Sequence, residues 1–215
     1  MNSKNSLKIA IIIPNDFSVV WFCEAIVKNL MLNNEVTVIS DIHDDYEYGH
    51  YLNIIKRWGV RHRYVSFYRF INPLKDIKYI VSLYKILKEE RFDMVMNIST
   101  KPNLYGSIAA KFAKVDKIVC SVWGLGLAFS DKKNIKNISL KYIAKIFYRY
   151  AFKVSDKVWF TNRNDYNYFI SRGIVDKNKT LLTNNYVNTT QYSPSAVSKK
   201  ISADLKSNLG YKDTD

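Results

Sequence analysis

Residues 91–115 read "RFDMVMNISTKPNLYGSIAAKFAKV". The part from 92 to 98 is a short apolar run, which is typical of a buried strand. Pro102 and Asn103 then stop the strand and favour the start of a helix. The helix opens with Gly106 among small residues, which allow close packing on a sheet. The stretch therefore predicts a strand followed at once by a helix, the repeating unit of a parallel α/β sheet.

The same alternation extends through most of the chain. Strands are predicted at residues 8–13, 35–40, 60–67, 92–98, 117–122, 157–161 and 179–183. Helices are predicted at residues 20–32, 48–57, 72–90, 103–114, 138–154 and 163–172. Strands separated by crossover helices indicate an α/β fold with a Rossmann-like, doubly wound parallel sheet of about seven strands. In such sheets, ligands bind beyond the carboxyl ends of the strands.

The composition limits the possible partners and the compartment. The 215 residues include 33 Lys and Arg against 19 Asp and Glu, a formal charge of +14, which implies a polyanionic partner. Cys23 and Cys120 lie in apolar segments, as expected of thiols in a reducing compartment. The N-terminal apolar run is short and stops at Pro14, unlike a signal peptide. We expect a cytoplasmic or peripherally attached protein.

Four loops follow strands whose carboxyl ends would share one edge of the sheet. The first, "PNDFSVVW", lacks the glycine-rich pattern of a dinucleotide site. Its Asn15, Asp16 and Ser18 either cap the following helix or form hydrogen bonds with a hydroxylated ligand. In the second loop, Lys101 and Asn103 either form an anion or hydroxyl site at a helix N-terminus or only start the helix.

The third loop contains an aromatic side chain on which a sugar ring could stack, and the fourth loop lies at the start of a helix. In "SVWGLGLAFSD", Trp123 either stacks on a sugar ring or covers the core, while Gly124 and Gly126 permit close approach of a ligand. In "TNRNDYNYF", Asn162 and Arg163 are candidate ligand contacts, although a helix cap is the favoured interpretation of this loop. The three histidines have no metal-ligand spacing, so no metal site is expected.

One predicted helix is strongly basic. Between Lys132 and Lys157 there are eight basic residues and one acidic residue. Lys141, Lys145 and Arg149 recur every four residues, and the predicted core-facing stripe contains Leu140, Ile143, Ala144, Phe147, Tyr150, Ala151 and Val154. A one-signed face with interleaved Tyr and Ile fits contact with an anionic membrane surface, although a solvated helix face explains part of it. Nucleic acid is the weaker interpretation because no recognition motif accompanies the charge.

Several of these motifs together resemble a known family. They are "NDFSVVWF" (15–22), "TKPNLYGSIAAKFAKV" (100–115), "VWGLGLAF" (122–129), "DKVWFTNRNDYNYF" (156–169) and "GIVDKNKTLLTNNYVNTTQYSP" (173–194). The chain resembles the N-terminal, acceptor-side domain of family 4 glycosyltransferases. It is most similar to the bacterial branch that builds lipid-linked surface polysaccharide, O-antigen and glycan repeat units.

This resemblance implies one half of a GT-B enzyme whose active site lies between two Rossmann-like domains. Residues 1–194 would hold the acceptor, and residues 195–215 would be a linker and the start of a missing C-terminal, donor-binding domain. The intact enzyme would transfer a sugar from a nucleotide-sugar, a UDP-sugar, to a polyprenyl-diphosphate-linked saccharide. It would retain anomeric configuration, need no metal or cofactor, and lie on the inner face of the plasma membrane.

In this interpretation the fragment alone is inactive and its catalytic residues lie in the missing domain. Two alternatives remain open at this point. One is a non-catalytic subunit that recruits a separate donor-binding chain to the membrane. The other is a nucleic-acid-binding domain, which would show steeply salt-dependent binding.

Overall fold

The computed structural model describes residues 6–43, 49–124 and 135–184, together with the isolated positions Thr189, Ser193, Leu205 and Asn208. Of residues 135–141 it describes the backbone. The chain divides into two compact units, residues 1–184 and 185–215. The sheet and its helices belong to the first unit.

Seven parallel strands form one sheet in the order β3-β2-β1-β4-β5-β6-β7. The strands are β1 Lys8–Asn15, β2 Glu35–Asp41, β3 Arg61–Tyr64, β4 Met94–Ile98, β5 Lys117–Val122, β6 Lys157–Phe160 and β7 Thr180–Leu182. The predicted α/β class, the strand number and the doubly wound arrangement are confirmed. The strand order reverses between β1 and β4, where crevices that bind ligands form in such sheets.

The hydrophobic run of β1 explains its central position. Ile11 is paired on one side with Val38 of β2 and on the other with Met96 of β4. From Ile9 to Ile13 the strand is at most 1% exposed. A strand buried on both faces needs continuous rather than alternating apolar residues, as this sequence has.

Helices cover both faces of the sheet unequally. On the face that includes Ile11, the cover consists of α2 (Glu24–Met31) and α3 (His50–Arg57), which lie over β1 and β2. The opposite face, which includes Ile12, is covered by a layer of four helices. These are α4 Pro73–Glu90, α5 Ser107–Ala113, α6 Ile135–Val154 and α7 Arg163–Ser171. Because every strand is parallel, each of these helices begins at the carboxyl edge of the sheet.

Two π-helical segments follow the two central strands. After β1, a single turn α1 (Asp16–Ser18) leads into the π segment Val19–Cys23 and then α2. After β4, the π segment Pro102–Gly106 leads into α5. The sequence predicted plain helices here, since a period of 3.6 residues does not reveal one inserted residue. Such segments are frequent at functional sites.

The start of α4 follows the sequence prediction. The Asn72 side chain accepts a hydrogen bond of 3.1 Å from the backbone N–H of Lys75, and Pro73 occupies the first helical position. The backbone N–H of Asn72 donates to Asp76 Oδ2 at 3.2 Å, which satisfies the reverse half of the cap. These bonds fix the first turn of α4 at the carboxyl edge.

The stripe predicted to face the core in α6 is partly wrong. The buried side chains are Ala144, Tyr148, Ala151 and Phe152. Three members of the predicted stripe, Ile143, Phe147 and Tyr150, are 51%, 37% and 40% exposed. The helix is rotated relative to the prediction because Tyr148 fills the space beside Phe152 and Phe169, with ring centroids 5.2 and 5.0 Å away. The outer surface of α6 is consequently more apolar than expected.

The second π segment approaches the sheet closely at Gly106. A Cβ atom built there would overlap Asn97 Oδ1 and lie 3.4 Å from Ile12 Cδ1. Asn97 is fully buried, and its Nδ2 donates to Ser107 Oγ at 3.2 Å, so its side chain cannot easily move. The expected close packing at Gly106 is confirmed.

We predict that Gly106→Ala lowers the free energy of unfolding by about 1–3 kcal/mol, because the added methyl group overpacks this contact. Urea denaturation followed by circular dichroism measures the loss. The double variant Asn97→Ala/Gly106→Ala makes room for the methyl group and should lose less than the sum of the two single changes. Strict additivity would contradict the close approach.

Candidate functional site

The first loop is held in place by its own side chains. Asn15 Oδ1 accepts hydrogen bonds from the backbone N–H of Ser18 at 3.0 Å and from Ser18 Oγ at 2.7 Å. The capping interpretation of Asn15 is therefore confirmed. Both side chains remain partly exposed, so the Ser18 hydroxyl can still accept a hydrogen bond from a ligand.

Asp16 connects the ends of β1 and β2. Its Oδ1 accepts from the backbone N–H of Phe17 at 2.9 Å and from that of His43 at 2.7 Å. The residue is fully buried, and among the described residues its Oδ2 has no hydrogen-bond partner. A buried carboxylate at a helix start is favoured by the helix dipole. Asp16 therefore shapes the first loop through its Oδ1, and its contact with a ligand stays a prediction.

A neutral histidine lies close behind this loop. Burial lowers the pKa of His62, an effect that the charge of Asp16 partly opposes. His62 Nε2 shares a hydrogen bond of 3.0 Å with Ser40 Oγ. A lowered pKa keeps the ring uncharged at neutral pH, so His62 adds no positive charge to this edge.

The structure gives Lys101 a role different from the predicted one. Its ammonium group donates to Asp76 Oδ1 at 2.5 Å and to the carbonyl oxygens of Tyr68 and Phe70, both at 2.7 Å. An ammonium group has three hydrogens, and these contacts use all of them. The residue is also only 9% exposed. Lys101 thus has no free donor for a substrate, and the contacts favour a structural role instead of the expected anion site.

Asn103 is likewise used inside the protein. Its Nδ2 donates to the carbonyl oxygen of Ser121 at 2.9 Å, and its Oδ1 accepts from the backbone N–H of Ser121 at 3.0 Å. The side chain is fully buried and acts as a bridge from the second loop to β5. It holds the second and third loops together, and the predicted ligand contact has no support in this geometry.

Trp123 is part of a line of aromatic rings along the carboxyl edge. Its ring lies edge to face with Phe22 at 6.4 Å and with Trp159 at 6.5 Å. Phe22 in turn contacts Phe17 at 6.2 Å, and Phe17 contacts Tyr51 at 5.2 Å. The line runs from α3 across the ends of β1 and β5 to β6.

Part of this aromatic line is open to solvent. Trp21 and Phe22 are 54% and 57% exposed, and Trp123 is partly exposed. The Trp123 indole N–H donates to Ser121 Oγ at 2.6 Å, which fixes the orientation of its ring. Fixed aromatic faces provide apolar surface at small entropic cost, so a pyranose ring could stack here.

The glycines of the third loop fall into two cases. Gly124 has φ 155°, and of the described residues none has an atom within 4 Å of the position that a Cβ atom would take. The predicted approach of a ligand to Gly124 stays a prediction. Gly126 lies outside the described residues.

The fourth loop supplies an exposed cation. Asn162 caps α7 through a bond of 2.8 Å from the backbone N–H of Asp165, and its Nδ2 donates to Asp165 Oδ2 at 2.7 Å. The cap interpretation of Asn162 is therefore confirmed. Arg163 is exposed, and among the described residues no ion pair or hydrogen bond occupies its side chain. Of the two cations predicted for this edge, Arg163 is the accessible one.

Ser99 is a candidate that the sequence did not reveal. It follows β4 directly and has φ 83°, a left-handed conformation that costs a residue other than glycine about 1–3 kcal/mol. Such strain is concentrated at functional sites. The residue lies where the strand order reverses, beside the first loop. No sequence signal identifies it, since serine seldom adopts this conformation.

The described edge does not present an activated nucleophile of the cysteine type. Burial raises the pKa of Cys23 to about 12 and also raises the pKa of Cys120. Both thiols are fully buried and stay protonated at neutral pH. The arrangement is suited to binding a ligand with hydroxyl groups and rings, not to covalent catalysis by these thiols.

Comparison with known proteins places this edge in context. The model of the "Glycosyl transferase 4-like" family matches residues 8–162. An Escherichia coli UDP-Gal:alpha-D-GlcNAc-diphosphoundecaprenol alpha-1,3-galactosyltransferase is 31% identical over 141 residues, which are 66% of this chain and 34% of that protein. A Campylobacter jejuni N,N'-diacetylbacillosaminyl-diphospho-undecaprenol alpha-1,3-N-acetylgalactosaminyltransferase is 24% identical over 124 residues, 58% of this chain and 33% of its own length. The chain spans about a third of these curated relatives.

Solved structures show the same fold without selecting an activity. A glycosyltransferase from Rickettsia africae has a TM-score of 0.63 at 16% identity and covers 97% of this chain, which corresponds to 50% of the other. An Anabaena protein in complex with UDP and glucose has a TM-score of 0.60 at 14% identity, over 95% of this chain and 50% of that one. A UDP-N-acetylglucosamine 2-epimerase from Rickettsia bellii reaches 0.63 at 14% identity, over 96% and 52%. Fold similarity alone therefore does not separate transferases from epimerases.

The buried ion pair of Lys101 and Asp76 should contribute to the free energy of unfolding. Lys101→Met leaves the Asp76 carboxylate buried and without its counter-charge, which should cost about 3–5 kcal/mol of unfolding free energy. Lys78→Met is the matched control, because Lys78 is exposed on α4, the helix that carries Asp76. It should change stability by no more than about 0.5 kcal/mol.

Urea denaturation of both variants measures the difference. The double change Asp76→Leu/Lys101→Met removes both charges and should recover part of the loss. Equal stability of Lys101→Met and Lys78→Met would show that the ion pair does not hold this edge together.

Proposed function

Because the chain belongs to the glycosyl transferase 4-like family, we propose that it is the acceptor-side half of a sugar-transferring enzyme. The donor is a nucleotide-sugar, a UDP-sugar, and the acceptor is a saccharide linked to a polyprenyl diphosphate. The product belongs to bacterial cell-surface polysaccharide or glycan synthesis. The observation that carries this proposal is the similarity to the Escherichia coli relative, whose name specifies both substrate classes.

The carboxyl edge supports an acceptor-binding role. Phe22 and Trp123 give apolar faces for sugar rings, and the Ser18 hydroxyl and the open backbone at Gly124 can make polar contacts with acceptor hydroxyls. Arg163 is an exposed cation that could meet a phosphate group of the lipid carrier. These are the positions that we assign to the acceptor.

The donor diphosphate needs more positive charge than the described edge offers. Departure of a nucleoside diphosphate is assisted by cations and helix N-termini in a site that excludes water. Lys101 is already neutralised by Asp76. We therefore propose that the donor-binding groups and the catalytic residues belong to a donor-binding domain outside the described residues. By itself this half binds acceptor and does not transfer sugar, with no metal or cofactor required.

The basic helix α6 supports attachment to an anionic membrane surface, such as the inner face of the plasma membrane. Lys145 and Arg149 lie beside exposed apolar side chains of the same helix. These are Tyr142, Ile143, Ile146, Phe147 and Tyr150. Apolar contact together with basic charge is what binds a helix to anionic lipid, each Lys or Arg adding about 1 kcal/mol. Lys141, the third predicted contact, has a side chain outside the described residues. None of the described helices is both long and apolar enough to cross a bilayer.

Binding of acceptor tests the main proposal. A polyprenyl-diphosphate N-acetylglucosamine in detergent should bind the chain more tightly than UDP-galactose does, as measured by calorimetry. Trp123→Leu should weaken acceptor binding about tenfold, since stacking on one aromatic ring is worth about 1–2 kcal/mol. Trp58→Leu is the control, because Trp58 follows α3 at the amino edge of the sheet.

Other outcomes of this experiment would redirect the assignment. Tighter binding of UDP-galactose than of the acceptor would contradict an acceptor-side role. Tight, steeply salt-dependent binding of a DNA or RNA duplex would favour the nucleic-acid alternative. Sugar transfer restored by adding a separate donor-binding chain would favour a subunit of a split enzyme.

Charge reversal on α6 tests membrane attachment. Lys145→Glu/Arg149→Glu should reduce co-sedimentation with vesicles containing phosphatidylglycerol by about tenfold or more, since two attractive charges become repulsive. Lys56→Glu/Arg57→Glu on α3 makes the same change in net charge on the opposite face and should have a small effect. An equal loss in both variants would show that overall charge, not α6, determines binding.

A further inference from the structure

A second exposed apolar surface lies on α4 and the loop before it. Phe70 and Ile71 are each 60% exposed, and in α4 Leu74, Ile77 and Val81 are 81%, 59% and 44% exposed. The last three recur at helical spacing and form one stripe along the outside of the helix. We call the surface made by these five residues the α4 wedge.

The charges around the α4 wedge are mostly positive. Between Tyr68 and Lys88 the sequence has five basic residues, Arg69, Lys75, Lys78, Lys85 and Lys88, and one acidic residue, Asp76. Asp76 is buried and paired with Lys101. All five basic residues are exposed. The wedge thus presents apolar side chains among mostly basic residues, while the exposed Glu89 in the last turn of α4 is paired with Arg63 at 3.4 Å.

This combination selects one kind of partner. A second copy of the same surface would bring basic residues against basic residues, which is unfavourable. A water-soluble polyanion would match the charge and leave the apolar stripe exposed. An anionic lipid surface satisfies both, since its headgroups attract the lysines while its acyl boundary accepts the apolar side chains.

The wedge is held rigidly, although two of its five residues lie in a loop. The ammonium group of Lys101 binds the carbonyl oxygens of Tyr68 and Phe70 as well as Asp76 Oδ1. Lys75 Nζ also lies 3.8 Å from the centroid of the Tyr68 ring. The loop is therefore fixed against the first turn of α4, and little entropy is lost when it enters a membrane.

We propose that the α4 wedge is a membrane-docking surface for anionic lipid, alongside α6 in the same helix layer. Both helices begin at the carboxyl edge, so the two apolar surfaces lie toward the edge that holds the candidate site. The inference deepens the membrane attachment of the proposed function and rests on it. In this arrangement Lys101 serves acceptor delivery indirectly, by fixing the loop that enters the lipid.

Co-sedimentation of the full chain with vesicles tests the α4 wedge. The vesicles contain either phosphatidylcholine alone or phosphatidylcholine with phosphatidylglycerol. Leu74→Ser/Ile77→Ser should lower the partition coefficient on the anionic vesicles about tenfold or more. Lys75→Gln/Lys78→Gln should lower it on anionic vesicles and leave the weak binding to neutral vesicles unchanged.

A matched control uses an exposed leucine elsewhere. Leu32 is 75% exposed, close to the 81% of Leu74, and it follows α2 on the opposite face of the sheet. Leu32→Ser should bind vesicles like the wild type. All the substituted side chains are exposed, and thermal unfolding verifies that each variant stays folded.

The possible results separate this inference from the proposals on which it rests. Normal binding by Leu74→Ser/Ile77→Ser together with lost binding by the α6 variant would overturn the α4 wedge and leave α6 as the membrane contact. A change from dimer to monomer in that variant, with vesicle binding intact, would overturn it in favour of self-association. Failure of the wild type to bind vesicles would overturn both docking surfaces, while acceptor binding in detergent would still decide the enzymatic proposal.

Discussion

The carboxyl edge of this protein depends on one buried positive charge. An ammonium group that leaves water needs an acceptor for each of its hydrogens and a counter-charge. Lys101 finds these in Asp76 and in the backbone of the loop that follows β3. Tyr105, in the second π segment, also donates to Asp76 Oδ2 at 3.2 Å. One ion pair therefore joins the end of β4, the start of α4 and the preceding loop.

The second constraint is the small distance between the second π segment and the sheet. Gly106 leaves no space for a side chain above Asn97, and Asn103 bonds both backbone groups of Ser121 in β5. These contacts draw the second and third loops together and position Trp123 at the edge. Lys101 and Asn103, which the sequence presents as candidate ligand contacts, thus stabilise the loops at the carboxyl edge. The surface left for a ligand is formed by aromatic rings, open backbone and Arg163.

This division of roles fits a fold that serves several activities. Similar structures include a glycosyltransferase and an epimerase with equal TM-scores, so the sheet alone does not determine the chemistry. The family match narrows the choice, because it extends through three of the four loops at the carboxyl edge and into the start of the fourth. The apolar and basic surfaces of α4 and α6 begin at that same edge. A lipid-linked acceptor held there would have its saccharide near the aromatic line and its lipid near the membrane.

The sequence by itself determined the seven strands, their parallel arrangement, the family and the cap at Asn72, and it offered capping as one of two interpretations of Asn15 and Asn162. These features depend on local patterns: apolar runs, capping residues and motifs in fixed order. Only the tertiary structure decided what Lys101 and Asn103 bind, which face of α6 is buried and how Ser99 is strained. The hydrogen-bond partners of Lys101 and Asn103 lie between 18 and 33 residues away in the chain. The buried face of α6 is set by the packing of Tyr148 on Phe169. Hydrogen bonds and packing between distant segments leave no periodic signal in the sequence. The sequence around Lys101 is therefore compatible with a substrate-binding role and with a structural role, and only the fold, which brings Asp76 to it, decides between them.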